Sequence, residues 1–223
     1  MCGRFALISD GRTLAEHFGV EISFALAPRY NIAPSQPLLV VRDDNGTRLV
    51  DHLSWGLVPS WSKDASASRR PINARAETVT EKPSFRNAYR RRRCLVPADG
   101  YYEWTKTEAG KQPVYIHPVN PGPLAIAGLW EYWERDGSAI VSCALLTCAA
   151  NTGISAIHHR MPVLIPPEEY TRWLDHSDER SLPDDLLVPA ASGRLAFHPV
   201  SKRVNSPGHD SAACIEPEPG VAL

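Results

Sequence analysis

No stretch of about 18 consecutive apolar residues occurs in this 223-residue chain, so it encodes no helical membrane span. Its first residues, Met1-Cys2-Gly3-Arg4-Phe5, lack the long apolar core of a secretory signal. Five cysteines are present (Cys2, Cys94, Cys143, Cys148 and Cys214), with no Cys-x-x-Cys pair among them to suggest zinc. An odd count without close pairing also argues against a disulfide framework. Charge of neither sign prevails: 24 Lys+Arg stand against 25 Asp+Glu, which excludes a polyanion binder by total charge. Together these absences point to a reducing, cytosolic setting in which a thiol stays free.

Proline, by contrast, is plentiful. Its 20 residues favour loops and strands over a helix bundle. Charge is also uneven along the chain. Residues 1–110 carry 16 basic and 12 acidic side chains, residues 111–223 carry 8 and 13, so a locally positive face is compatible with the neutral total. Leu14, Phe18 and Val20 mark the apolar side of a helix over 11–20. Segments 37–42 and 47–53 read as paired strands about the turn Asp43-Asp44-Asn45-Gly46, and 55–62 as a structured loop. A short helix is predicted over 83–91 from Pro83, and another after Pro166-Pro167. Strands are predicted over 112–119, 124–133 and 139–148, with the hairpin turn Asp136-Gly137 between the last two, and a late strand over 196–205. After Ser206 the Pro- and Gly-rich tail reads as loose. The pattern predicts one α+β domain, residues 1–205, on antiparallel sheet with a few flanking helices, followed by the tail 206–223.

Cys2 is the first residue with chemical promise. Methionine is generally trimmed before a small second residue, which leaves an α-amine and a thiol on one residue. Their reference pKa values, about 7.7–8.0 and about 8.5, make both partly nucleophilic near neutrality. An amine forms a Schiff base with an aldehyde, and a neighbouring thiol can close a five-membered ring on the same carbon. Glu103, set among Tyr101, Tyr102 and Trp104, is a carboxylate that burial would tune toward acid–base work; the alternative is a surface residue on an alternating strand. His158 and His159 are neighbouring proton-shuttle candidates, and on a strand only one would enter a given site. Asn73, Arg75 and Glu77 place an amide, a guanidinium and a carboxylate within five residues; Arg75 either grips a phosphate or pairs with Glu77. The run Arg90-Arg91-Arg92-Arg93 with interleaved aromatics suits single-stranded nucleic acid, or else a solvated face beside ordinary core aromatics.

Taken in order, MCGRF (1–5), RYNIAP (29–34), WGLVPSW (55–61), INARAET (72–78), RRCLVPADGYYEW (92–104), AGLWE (127–131), LLTCAAN (145–151), IHHRMPVLI (157–165) and HPVS (198–201) resemble the SRAP family of abasic-site-processing proteins, also called SOS response-associated peptidases. The resemblance implies a barrel-like β-rich fold with a groove for single-stranded DNA containing abasic sites. It further implies capture of the ring-opened sugar aldehyde by Cys2, after Met1 removal, as a thiazolidine crosslink in the DNA damage response. By the same resemblance Cys2, Asn73, Glu103 and His158 are catalytic. Arg4, Arg75 and Arg160 hold phosphates, Trp61, Trp104 and Thr147 line the groove, and Pro34 wedges against bases. It implies no metal or cofactor, no membrane, and a cytoplasmic protein gathered on the nucleoid when engaged; nothing in the sequence requires more than a monomer. Three alternatives remain open at this stage: an N-terminal-nucleophile hydrolase, a thiol (auto)peptidase with hydrolase or lyase-like activity, and a non-catalytic single-strand binder.

Overall fold

The computed structural model describes residues 2–44, 46–66, 70–108 and 110–221. Near its start, Asp10 caps a two-turn helix, α1 (Gly11–Phe18), by accepting from the Thr13 backbone N–H at 2.8 Å. Gly19 ends it in the left-handed region, two residues before the predicted boundary, and Leu14 and Phe18 are buried. Strands β1 (Phe5–Leu7), β2 (Arg29–Ile32), β3 (Pro37–Asp44), β4 (Thr47–Trp55) and β5 (Asn73–Arg75) precede helix α2 (Arg86–Arg91). The β3–β4 pairing matches the expected hairpin; Asn45 of its turn lies outside the described residues. Helix α2 starts at Arg86, because Pro83 sits in a preceding turn rather than at the first helical position.

Strands β6 (Arg93–Ala98), β7 (Gly100–Thr107), β8 (Gly110–Pro118), β9 (Leu124–Arg135), β10 (Ser138–Ala149) and β11 (Arg160–Pro162) come next, then helix α3 (Tyr170–Leu174) and β12 (Leu195–Pro199). Asp136 and Gly137 both have positive φ, 50° and 77°, as the tight β9–β10 hairpin needs. The order β10–β4–β3–β6–β9 returns to β10, so this sheet closes on itself, with β11 and β5 added alongside β10. A second sheet runs β12–β8–β7–β1–β2. The fold is therefore an α+β domain with a barrel-like β core and few helices. The chain passes between the sheets at Asp99-Gly100. There a Cβ on Gly100 would lie 2.4 Å from the Tyr115 ring and 2.7 Å from the Ile116 carbonyl oxygen, so the position admits no side chain.

Three expectations are corrected. The late strand stops at Pro199; residues Lys202–Asn205 form a 3-10 turn capped by Ser201. Beyond Ser206 the chain is docked rather than loose. Asp210 accepts from the backbone N–H groups of Tyr30 and Asn31, Val200 bridges Pro217, and Cys214 is buried. The basic run is no uniform solvated face either. Arg93 is completely buried, donating to the carbonyls of Tyr89, Arg90, Trp173 and Asp175, while Arg92 pairs with Glu131 and Arg91 with Glu179. Tyr89, Tyr101 and Tyr102 pack in the core, so most of the interleaved aromatics stabilise the fold.

Candidate active site

Strand alternation builds the site. On β7, Tyr101 and Glu103 face one side and Tyr102 the other, so Tyr101 joins the main core with Cys2 while Tyr102 packs in a separate cluster with Tyr115 and Val200. Glu103, which a surface reading would have left in solvent, is only 3% exposed. Cys2 is fully buried just ahead of β1, which pairs with β7 through Phe5 and Tyr101. Strand β5 approaches from the other side, paired in parallel with β10 through Asn73–Leu145 and Arg75–Thr147. Its Asn73 side-chain amide donates to the Cys2 carbonyl oxygen at 2.8 Å. The carbonyl oxygen of that same amide, Asn73 Oδ1, is buried with no hydrogen-bond partner among the described residues. A buried acceptor without a donor costs about 1–3 kcal/mol, which favours any N–H group brought to it.

Glu103 Oε2 and His158 Nε2 lie 3.9 Å apart. The other imidazole nitrogen, Nδ1, accepts from the Arg160 backbone N–H at 3.0 Å, which fixes the ring. Burial pushes the Glu103 carboxyl above the usual carboxylate range and pushes His158 below the usual histidine value. Both shifts favour the neutral form of each group, and the pair stands close enough for both to serve one substrate atom in acid–base work. Burial also holds the Cys2 thiol far above its ordinary value, with the Glu103 carboxylate adding to the effect, so Cys2 rests as a thiol and not a thiolate. Tyr101, whose buried hydroxyl has no partner among the described residues, is a neighbour that sequence reasoning passed over. The signal was its two-residue spacing from Glu103.

The two histidines do not diverge. They precede β11 instead of lying within a strand, and their rings stack at 4.4 Å, with His159 exposed beyond His158. Both line a cleft of about 660 Å³ together with Glu103 and Trp104. Arg160 makes a two-pronged ion pair with Glu77, at 2.5 and 2.9 Å, and donates to the carbonyl of the buried Thr147. Arg75, read as a possible partner of Glu77, instead stands exposed. Arg4 donates to Asn31 Oδ1 at 2.7 Å and to the Val204 carbonyl at 2.5 Å, and Trp104 donates to Asn205 Oδ1 at 2.7 Å, so both are braced by the segment after β12. Pro34 sits in the β2–β3 turn beside Ser35, whose φ is 71°. Trp61 is 60% exposed and borders a separate cleft with Lys63 and Arg70. The structure thus brings Cys2, Asn73, Glu103 and His158 into one neighbourhood; of the predicted site residues Glu103, Trp104 and His158 line the cleft, and Cys2, Asn73, Arg4, Arg75, Thr147, Arg160, Pro34 and Trp61 do not.

The family model of the SOS response associated peptidase, SRAP, matches residues 1–207. The chain belongs to the SRAP family. It is 36% identical to the abasic site processing protein YoaM of Bacillus subtilis, over 98% of this chain and 99% of that protein. It is 33% identical to the abasic site processing protein HMCES of Gallus gallus, over 85% of this chain and 66% of that one. A crystal structure of a Bacteroides thetaiotaomicron protein shares the fold at a TM-score of 0.87 and 24% identity, covering 97% of this chain and all of that one. A phage-related protein of Bordetella bronchiseptica matches with a TM-score of 0.74 at 29% identity, over 90% of this chain and 95% of that one.

Proposed function

We propose that this protein acts on abasic sites in single-stranded DNA and attaches itself to them through Cys2 once Met1, which lies outside the described residues, has been removed. The observation that carries this reading is the Asn73 carboxamide. One end donates to the Cys2 carbonyl, and the other is a buried oxygen without a partner among the described residues, an acceptor suited to an N–H of the terminal amine. The names of the relatives supply the substrate class.

The amine, held by Asn73 Oδ1, attacks C1′ of the ring-opened sugar. Proton transfer between His158 and Glu103 lets the carbinolamine hydroxyl leave as water, and an iminium remains. The Cys2 thiol then adds to the same carbon, its proton passing to Glu103 and its sulfur closing a thiazolidine. One water is lost overall and no oxidant is consumed. A thiol raised far above its ordinary value by burial is a poor first nucleophile, which favours the order amine then thiol. An abasic nucleotide has no base to unstack, so its sugar reaches a recessed site cheaply. Arg75, Arg4 and Arg160 supply phosphate contacts, with the latter two exchanging or sharing their present protein partners, and Trp104 offers a stacking face. A denaturing gel of protein mixed with an abasic oligonucleotide tests this: wild type gives a covalent band and Cys2→Ala gives none. An equal band from Cys2→Ala overturns the reading.

A further inference from the structure

On the β7–β8 hairpin, Lys106 and Lys111 stand directly opposite one another in register. Like charges facing across two strands oppose sheet formation. Both lysines are exposed, and neither makes an ion pair among the described residues. Glu108, the acidic residue of the same hairpin end, lines the neighbouring cleft with Gln112 and Lys202 instead. The two lysines line the same cleft as Glu103, Trp104, His158 and His159, and both are exposed where Glu103 is buried. Lys106 lies on the strand face that Trp104 shares, and both faces contribute to the cleft. It stands three residues along β7 from Glu103, about 10 Å at roughly 3.3 Å per residue. That is too far to touch the reacting sugar and near enough for phosphates beside it. Among the described residues lining that cleft Glu103 is the one acidic side chain against Lys106 and Lys111, so its exposed part is positive against a nearly neutral protein.

We infer that the Lys106–Lys111 pair is a phosphate clamp on the DNA strand as it leaves the Cys2 site, so that the β7–β8 hairpin sets the strand's path. The inference rests on the reading of the site as one for abasic single-stranded DNA. A phosphate between the two ammonium groups would relieve the repulsion that the empty hairpin carries. Function and stability therefore pull in opposite directions at these positions, a combination that a surface lysine pair without a ligand would not show.

The test uses the whole protein and a single-stranded oligonucleotide carrying a tetrahydrofuran abasic analogue, which has no aldehyde and reports binding alone. Each phosphate contact contributes about 0.7 to the slope of log affinity against log salt for a single strand. The Lys106→Gln/Lys111→Gln double variant should lower that slope by about 0.7, so that between 50 and 200 mM salt wild type loses ~3-fold more affinity than the variant. Lys106→Glu, which places opposite charges across the strands, should melt at a higher temperature than wild type while binding the strand more weakly. An unchanged salt slope in the double variant, or binding by Lys106→Glu as tight as wild type, overturns the clamp. A natural abasic oligonucleotide run in parallel keeps the two claims apart. If wild type forms no covalent adduct, the proposed function fails and the slope still decides the clamp.

Discussion

Replacing Asn73 by alanine removes one donor and one acceptor from the neighbourhood of Cys2 without touching a charge. The lost donor leaves the carbonyl of a fully buried residue without its 2.8 Å partner, a deficit of about 1–3 kcal/mol. The strands around it keep their own ladders, β5 through its pairing with β10 and β1 through Phe5 with Ile32 and Tyr101. The deficit therefore falls mainly on how firmly the terminus is held in its reactive position. At about 1.4 kcal/mol per decade it corresponds to a crosslinking rate roughly 5- to 140-fold slower. The assay is single-turnover crosslinking to a saturating abasic oligonucleotide, with a melting curve beside it. Asn73→Asp refines the result: its carboxylate would hold the terminal ammonium protonated, so its pH–rate profile should move to higher pH. A wild-type rate in Asn73→Ala, or a rate loss matched by global unfolding, would refute the reasoning.

Other outcomes follow from the same geometry. Arg93→Met strips donors from four carbonyls, two of these contacts fully buried, and should cost about 1–3 kcal/mol for each buried carbonyl left unpaired, read by urea denaturation. Gly100→Ala forces a Cβ into Tyr115 and the Ile116 carbonyl, and should destabilise by at least 1–3 kcal/mol on the overpacking scale of about that size. Truncation after Asn205 removes the Asp210 contacts to β2 and the buried Cys214, and should lower the melting temperature by several degrees at about 2–4 °C per kcal/mol. His176 is held down to about 4, chiefly by burial and then by Arg93. Its unfolded value is about 6.5, so between pH 6.5 and 4 the unfolded chain binds more protons, and stability falls as pH drops through that window. A His176→Leu variant should lose less stability across that interval in pH-dependent melts.

Much of this architecture was legible because it is local. The Asp10 cap, the Leu14 and Phe18 stripe and the Asp136-Gly137 turn depend on neighbours a few residues away, and each lies where the pattern places it. What was misread depends on distant partners. Arg93 looked solvated because the carbonyls of Trp173 and Asp175 that satisfy it are some 80 residues further on. The tail looked loose because its anchors are the backbone of β2 and the Asn31 side chain, which donates to the Val204, Ser206 and His209 carbonyls. The late strand is shortened by a local cap: after Val200 donates to the Pro113 carbonyl, Ser201 accepts from the Arg203 N–H and turns the chain into the 3-10 segment. At the site, residue types were readable, but burial was not. The paired shifts of Glu103 and His158 and the partnerless Asn73 oxygen arise from packing between β7, β5 and the chain before β11.

The most direct test of the Cys2 account is the intact mass of the protein after incubation with abasic single-stranded DNA. The account predicts a species lacking Met1 whose mass is the sum of protein and oligonucleotide less one water, stable without reduction. Cys2→Ser, which keeps the amine and loses the thiol, should give a stable adduct only after borohydride reduction of its imine, at a mass two hydrogens above the sum less one water. A stable adduct on a chain that retains Met1, or an equally stable adduct from Cys2→Ser, would contradict it.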